Sequence, residues 1–222
     1  SVESDLFIEL AGEYNIPLVY FSYQKFKNGQ PTKPRPALRL DYDQEVMNRL
    51  QEFNPDLCVL AGHMLIVGEE MCQQYNMLNL HPAAPGGPAG TWQEVIRQLI
   101  REKTQGTGVM MHLVTPELDK GPVVSYCTFS IRGKPFDQYW RELGEKSVEE
   151  IQEKEGKKTL FRIIRKHGLA REFPLITATL KTFSQGKIRI TADKKIVDAD
   201  GKTIEGYNLT NEINAQVKGI IQ

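Results

Sequence analysis

The sequence predicts an α/β fold in which a mostly parallel, twisted sheet is flanked by helices. Residues 57–62, LCVLAG, are apolar on both faces, which is typical of a strand inside a parallel sheet. Segments with helical spacing of apolar residues lie between such strands. Residues 76–91, NMLNLHPAAPGGPAGT, begin as a strand and continue with three prolines and three glycines in nine residues. Proline removes ladder donors, so this strand must stop abruptly at His81.

The first part of the chain predicts a helix, a strand and a loop. SDLFIELAGEYN has a helical pattern with Ser4 or Asp5 as the N-cap. Residues 16–22, IPLVYFS, predict a strand. Residues 25–39 are basic and rich in proline, and we expect a solvated loop there. The alternative for this loop is a lid that contacts an anion.

The middle of the chain adds three helices. DYDQEVMNRLQEFNP has apolar residues at helical spacing and offers Asp41 or Asp43 as a cap. GEEMCQQYN predicts a short helix after the strand at 57–62. TWQEVIRQLIREK predicts an amphipathic helix that begins after Thr91 as cap, with Trp92 and four aliphatic residues facing inward.

The second half predicts two strands joined by a polar loop. TGVMMHLV is a β-type run, TPELDKG is the loop, and PVVSYCTFSI is an alternating strand. Residues 133–158 are strongly charged and predict a solvated insertion of loop and helix. TLFRIIRK and FPLITATLKTFSQG then predict one or two helices, the last ended by Gly186. DKKIVDADGKTIEGYN predicts a β-hairpin turned at Asp200 and Gly201.

Three polar side chains form a candidate catalytic set. Asn79 and His81 are two residues apart at a strand end, so on an extended backbone they point to the same face. Asp119 lies in the loop between two later strands, where open α/β folds keep their chemistry. An amide can stabilise an oxyanion, an imidazole can transfer a proton, and a carboxylate can orient the imidazole. Taken singly, each more often caps backbone or forms a turn. His112 rivals His81, although alternation makes it a half-buried strand residue.

The ordered motifs resemble those of the folate-dependent formyltransferases, in particular the glycinamide ribonucleotide formyltransferases. LNLHPA with its Pro/Gly loop, TGVMMHLVTPELDKGPVV, PDLCVLAGHMLIV and REFPLITATLKTFSQGKIRI occur in the family's order over residues 5–190. The resemblance implies the family's Rossmann-like formyltransferase fold. It assigns residues 1–190 to a formyltransferase-like domain and residues 191–222 to a short C-terminal extension that carries the hairpin.

The resemblance also implies roles for individual residues. The family's catalytic Asn, His and Asp correspond to Asn79, His81 and Asp119. The positions that match its folate-contacting loops are Met64, Leu65, Ile66, Val67, Glu117, Leu118 and Asp119. The positions that match its acceptor contacts are Pro82, Gly86, Gly87 and Glu172. No metal is implied.

Several positions depart from the family's pattern. Leu65 stands where the nearest relatives commonly carry arginine, and Ala83 and Ala84 follow the His-Pro pair where relatives usually carry a serine and leucines. The glutamate of relatives that corresponds to Glu172 lies in a different register to the Phe173-Pro174 pair. The family's initial strand and Gly-rich phosphate-binding turn have no counterpart before Ser1, so we expect an N-terminally incomplete domain with an exposed sheet edge that allows a homodimer.

The implied reaction is formyl transfer from 10-formyltetrahydrofolate to the amine of glycinamide ribonucleotide, in purine biosynthesis and one-carbon metabolism. Three alternatives stay open. A formyltetrahydrofolate deformylase would use the same three residues with water as acceptor, and a sugar-nucleotide N-formyltransferase would use another amine. A catalytically silent folate-binding module would bind the donor without turnover.

The composition limits the partners and the cellular compartment that we expect for the protein. Lys+Arg and Asp+Glu balance at 28 each, so no global field favours nucleic acid or an anionic membrane. No apolar run has the length of a bilayer span, and no signal peptide is visible. Cys58, Cys72 and Cys127 are scattered without metal-type spacing, which is typical of reduced thiols in the cytoplasm. We therefore expect a cytoplasmic protein with small-molecule substrates.

Overall fold

The computed structural model describes residues 5–30, 32–63, 65–144 and 159–221. The chain divides into two compact units, a smaller one of Ser1–Asp56 and Leu65–Tyr75 and a larger one of Leu57–Met64 and Asn76–Gln222. Three expectations lie outside the described residues: Ser4 as a helix cap, Met64 as a folate contact, and the part of the charged insertion at 145–158.

The smaller unit contains helices. Their bounds are α1 Asp5–Glu13, α2 Tyr23–Asn28, α3 Arg35–Arg49 and α4 Glu69–Gln74. The expectation that Asp41 or Asp43 caps the third helix is wrong, because α3 begins after Pro34 with Pro36 in its first turn, where proline needs no donor. Asp43 is buried, and its Oδ2 accepts a hydrogen bond of 2.7 Å from the N–H of Gly68.

Two expectations for the smaller unit are corrected. Residues 16–22 form no strand, because no described strand pairs with them, and Ile16 is 59% exposed. A strand is stable only when its backbone groups find a partner, which local propensity does not supply. Residues 25–39 are not one solvated loop, since α2 and the start of α3 occupy much of that range. The ring of Phe21 instead stacks on Tyr42 at a centroid distance of 4.9 Å.

The larger unit is built on a five-stranded sheet in the order β1-β2-β3-β4-β7, with a separate hairpin of β5 and β6. The strands are β1 Cys58–Leu60, β2 Met77–His81, β3 Gly106–Leu113, β4 Val123–Ser130, β5 Ile188–Ile190, β6 Ile196–Asp198 and β7 Tyr207–Asn208. Pairs β1–β2 and β4–β7 are parallel, whereas β3 is antiparallel to both of its neighbours. Four strands therefore run in one direction, which confirms the mostly parallel sheet.

Helices cover this sheet and bury its core. They are α5 Trp92–Arg101, α6 Asp137–Leu143, α7 Leu160–Ser184 and α8 Thr210–Val217. The segment expected to form one or two helices is a single helix, α7, with Pro174 inside it. Leu175 of α7 and Ile213 of α8 are buried with Leu78, Met111 and other strand residues in the main core. Ala83, Val95 and Phe136 belong to a second core that α5 and α6 share with the start of α7.

The C-terminal hairpin turned at Asp200 and Gly201 is present, and a second hairpin precedes it. β5 pairs with β6 across residues 191–195, where Lys194 has a φ of +60°. Asp200 and Gly201 make a further turn, after which Thr203 bridges back to Val197. None of the helices in the described ranges combines the length and the apolar character that a bilayer crossing requires.

Candidate active site

The end of β2 supplies the first two polar groups. Asn79 and His81 lie two residues apart on this strand, as the sequence predicts, and the strand ends at His81. The imidazole of His81 is almost fully buried. Its Nε2 lies 2.8 Å from the carbonyl oxygen of Pro88 in the Pro/Gly loop. Because a carbonyl oxygen only accepts, Nε2 carries a proton, which leaves Nδ1 as the nitrogen available for chemistry.

The loop between β3 and β4 supplies the carboxylate. Asp119 adopts a φ of +55°, a left-handed conformation that is uncommon outside glycine and that aspartate tolerates better than most residues. Its side chain is 8% exposed, and Oδ2 accepts a hydrogen bond of 3.1 Å from the backbone N–H of Gly90. The Pro/Gly loop therefore holds Asp119 through Gly90 and His81 through Pro88.

Asp119 lies between two imidazoles. Its Oδ2 is 3.6 Å from Nδ1 of His81, and its Oδ1 is 3.6 Å from Nε2 of His112. Both distances are longer than a good hydrogen bond, so these contacts are electrostatic in this structure. Catalytic hydrogen bonds are often long without substrate and shorten in the complex.

His112 is held as a neutral ring. Its Nδ1 lies 3.1 Å from the carbonyl oxygen of Leu113, so Nδ1 is the donor, and Nε2 accepts from Nδ2 of Asn79 at 3.2 Å. Burial lowers the pKa of His112 below its ordinary value of 6.5, and the opposing effects of the Leu113 carbonyl and of Asp119 are smaller. One N–H of the Asn79 amide is used by His112, and the second has no partner among the described residues, so it can donate to a ligand.

The combined arrangement can stabilise negative charge and move a proton. Asn79 offers an amide N–H whose direction His112 fixes, and His81 offers Nδ1 beside a carboxylate. All four side chains belong to the larger unit and are delivered by β2, β3 and the loop after β3. Such a set suits addition to a carbonyl carbon, where the oxygen becomes negative and a nucleophile loses a proton.

The residues expected to contact folate lie in two places. Leu65, Ile66 and Val67 belong to the smaller unit, where Val67 is buried and Ile66 is 43% exposed. Glu117 and Leu118 precede Asp119 in its loop, and both are exposed. An exposed leucine next to the carboxylate offers an apolar surface to a ligand.

The residues expected to contact the acceptor also fall into two groups. Pro82, Gly86 and Gly87 lie in the Pro/Gly loop. A Cβ on Gly87 would come within 2.9 Å of the Ala84 carbonyl oxygen, so the loop's tight turn requires glycine there. Glu172 forms an ion pair with Arg165 on α7 and makes no hydrogen bond to the catalytic set within the described residues. The roles of all these residues stay predictions.

Sequence reasoning missed three contacts of the site. The carbonyl of Pro88 and the N–H of Gly90 are backbone groups, which no side-chain pattern reveals. His112 was interpreted as a half-buried strand residue, but it is fully buried and paired with Asn79 across the β2–β3 ladder. The pairing of His112 with Asn79 could have been predicted only from the register of the β2–β3 ladder.

The fold and the site together define an α/β protein with an Asn, His and Asp set at the carboxyl end of a central strand. Residues 7–134 match the family model described as formyl transferase. This match covers more than half of the chain. The protein therefore belongs to the formyl transferase family.

Curated relatives are similar over part of their length. A phosphoribosylglycinamide formyltransferase of Escherichia coli (strain K12) is 34% identical over 85 residues, which are 37% of this chain and 39% of that protein. The enzyme of that name from Dictyostelium discoideum is 29% identical over 127 residues, 53% of this chain and 60% of that protein. A formyltetrahydrofolate deformylase of Haemophilus influenzae is 25% identical over 118 residues, 52% and 38% of the two chains. The chain thus spans about 40 to 60% of these relatives.

Solved structures share the fold. A phosphoribosylglycinamide formyltransferase from Coxiella burnetii superposes with a TM-score of 0.66 at 19% identity, covering 94% of this chain and 82% of that one. A formyltetrahydrofolate deformylase from Pseudomonas syringae gives 0.56 at 18% identity, covering 86% and 52%. These similarities confirm the fold class. This chain also contains the separate C-terminal hairpin of β5 and β6.

Proposed function

We propose that the protein transfers a formyl group from 10-formyltetrahydrofolate to the amine of glycinamide ribonucleotide. The observation that carries the proposal is the cluster in which His112 links Asn79 to Asp119 and Asp119 faces His81, in a chain of the formyl transferase family. The named relatives at 29 and 34% identity support this acceptor. A cytoplasmic enzyme of purine biosynthesis is the corresponding biological proposal.

The donor supplies an activated formyl carbonyl, and the side chains of the site fit it. The second N–H of Asn79, and Nδ1 of His81 when its ring is protonated, are donors for an oxygen that becomes negative. The exposed Leu118 beside Asp119 suits an apolar, flat donor, and we propose Glu117 as a further contact. Among the described residues no group of His, Cys, Asp or Glu side chains could hold a metal ion.

In the proposed reaction, the acceptor's amine nitrogen bonds to the formyl carbon, the bond from that carbon to the donor's nitrogen breaks, and one proton passes from the amine to the departing nitrogen. Asn79 and protonated His81 stabilise the charge on the formyl oxygen. Asp119 faces Nδ1 of His81 and relays the amine's proton. Pro88 keeps Nε2 of His81 occupied, so that Nδ1 is the nitrogen that acts.

A second candidate is hydrolysis of the same donor. Formyltetrahydrofolate deformylases are among the similar proteins and structures, and water can replace the amine at the same three residues. In that case Asp119 would accept a proton from water, and no amine would be needed. We place transfer first because phosphoribosylglycinamide formyltransferases predominate among the relatives named above.

The deciding experiment follows loss of 10-formyltetrahydrofolate with and without glycinamide ribonucleotide. Loss that depends on the amine supports transfer, and equal loss without it supports hydrolysis. Asn79→Ala should reduce turnover by about 10²-fold, because an oxyanion donor is removed. Asn211→Ala, at an exposed position of α8, is the matched control and should leave turnover unchanged. Full activity of Asn79→Ala would overturn the proposed mechanism. Donor binding without loss would indicate a binding module.

A further inference from the structure

An open cleft of about 400 Å³ lies between the first turns of α5 and α7. It is lined by Trp92, Thr159, Phe161, Arg162 and Arg165. The rings of Trp92 and Phe161 are 5.6 Å apart at their centroids and tilted by 47°. The volume is at the small end of the range for small-molecule sites. None of these five residues belongs to the catalytic set or to the contacts proposed above.

The cleft carries an excess of positive charge. Arg165 pairs with Glu172, and its guanidinium lies 4.8 Å from the centre of the Trp92 ring. Arg162 has no ion pair within the described part of the chain, and its side chain is exposed. The carboxylate of Glu94, two residues after Trp92, accepts from both the N–H and the hydroxyl of Thr91. Among the residues that the structure describes, the Arg162 guanidinium therefore has no counter-charge.

The backbone adds to this charge. α7 has no acidic residue in its first turn, although Arg162 stands there, where the helix dipole is positive and repels a cation. The Thr159 hydroxyl accepts from the N–H of Arg162 at 3.3 Å. The N–H groups of Leu160 and Phe161, also in this turn, bond to no acceptor within the ranges that the structure describes. An anion beside Arg162 would relieve the repulsion and accept these donors.

The geometry points to a binding site for a phosphorylated small molecule. Guanidinium groups bind phosphate with paired hydrogen bonds, and the half-buried Trp92 ring gives the cleft an apolar wall. This inference goes beyond the proposed function. Trp92 lies two residues after Gly90, whose N–H holds Asp119, so the cleft adjoins the loop that supports the catalytic carboxylate. Two residues span at most about 7 Å of chain.

Two sources share this chemistry: the phosphorylated acceptor of the proposed reaction, and a separate nucleoside monophosphate. Binding of either ligand is measured by the fluorescence of Trp92. The chain has two tryptophans, so the Trp140→Phe variant leaves Trp92 as the single reporter. We expect AMP to change this fluorescence saturably and adenosine at equal concentration to change it much less. Arg162→Gln should weaken AMP binding on the order of tenfold or more, because a hydrogen-bonded charge is lost. Arg189→Gln, at an exposed arginine of the β5–β6 hairpin, is the matched control and should bind normally.

Competition and kinetic measurements then distinguish the acceptor from a separate nucleotide as the ligand of the cleft. If glycinamide ribonucleotide displaces AMP and Arg162→Gln raises the KM for this acceptor, the cleft binds the acceptor's phosphate. If AMP binds without competition, the cleft serves a separate nucleotide. No fluorescence response to AMP, ribose 5-phosphate or glycinamide ribonucleotide overturns the inference, as does equal weakening by Arg189→Gln. Binding is measured without turnover, so failure of formyl transfer leaves this result intact and is recognised separately.

Discussion

The amide Nδ2 of Asn79 donates to Nε2 of His112 at 3.2 Å, across the antiparallel ladder of β2 and β3. The bond is possible because the other ring nitrogen of His112 donates to the Leu113 carbonyl and leaves Nε2 as an acceptor. His112 thereby fixes which way the Asn79 amide points. In the proposed reaction it is a positioning residue, and Asn79 is the group that touches substrate.

The first prediction concerns this bond. His112→Phe keeps a buried ring but removes the acceptor for Asn79, so we expect turnover to fall about tenfold or more. His112→Gln supplies an acceptor oxygen and should retain more activity than the phenylalanine variant. Steady-state kinetics gives kcat and KM for each variant, and urea unfolding gives its free energy of unfolding. A disordered amide lowers kcat alone, whereas a general packing defect also lowers the free energy of unfolding. Equal kcat in the two variants would contradict the positioning role.

The second prediction concerns Asp119. Asp119→Asn should fold almost normally, because asparagine also tolerates a φ of +55° and its amide oxygen can accept from the N–H of Gly90. Its turnover should nevertheless fall by about 10²-fold, since the negative charge beside His81 and the proton relay are lost. Urea unfolding and turnover are measured on the same preparation. An active asparagine variant would exclude the carboxylate from the reaction.

The third prediction concerns the loop that supports the catalytic set. Gly90 has a φ of +103°, and a Cβ there would lie 2.7 Å from Oε2 of Glu94. Gly90→Ala should therefore cost about 1 kcal/mol or more of unfolding free energy and also turn the N–H away from Asp119, lowering turnover. Gly186→Ala is the matched control, with a φ of +67° and open space around its Cβ. We expect it to lose stability without losing activity.

The strands around the site were predictable from sequence because strong local signals mark their ends. Three prolines and three glycines stop β2 at His81, and polar residues separate β3 from β4. Residues 16–22 have the same local signals and form no strand, because pairing depends on a partner elsewhere in the chain. The start of α3 was missed because prolines near its first turn resemble a loop, although proline is compatible with that position.

The candidate site was predictable only in its side chains. The structure brings Asn79, His81 and Asp119 into one cluster, as the sequence led us to expect. The carbonyl of Pro88 and the N–H of Gly90 belong to every residue type and leave no mark in a sequence. The role of His112 depends on strand register, which a single strand's alternation does not specify.

The last prediction concerns pH and a histidine remote from the catalytic set. His167 on α7 is buried, and its ring lies 4.6 Å from that of Phe136, centroid to centroid. Its Nε2 has no hydrogen-bond partner among the described residues. Burial, followed by the positive charges of Arg171 and Lys166, lowers the pKa of His167 from 6.5 to about 4.

Because this pKa is lower in the folded protein than in the unfolded chain, the unfolded chain binds more protons between pH 6.5 and about 4. Stability is therefore fully present above pH 6.5 and is lost as the pH falls, by up to about 1.4 kcal/mol for each pH unit. His167→Leu removes this titration, so its unfolding free energy should fall less steeply than that of the unchanged protein over the same range. Asn211→Ala, at an exposed position of α8 without a titrating side chain, is the control and should follow the unchanged protein. Urea unfolding at intervals between pH 7.5 and 4 measures all three, and parallel curves for His167→Leu and the unchanged protein would show that His167 does not govern the acid sensitivity.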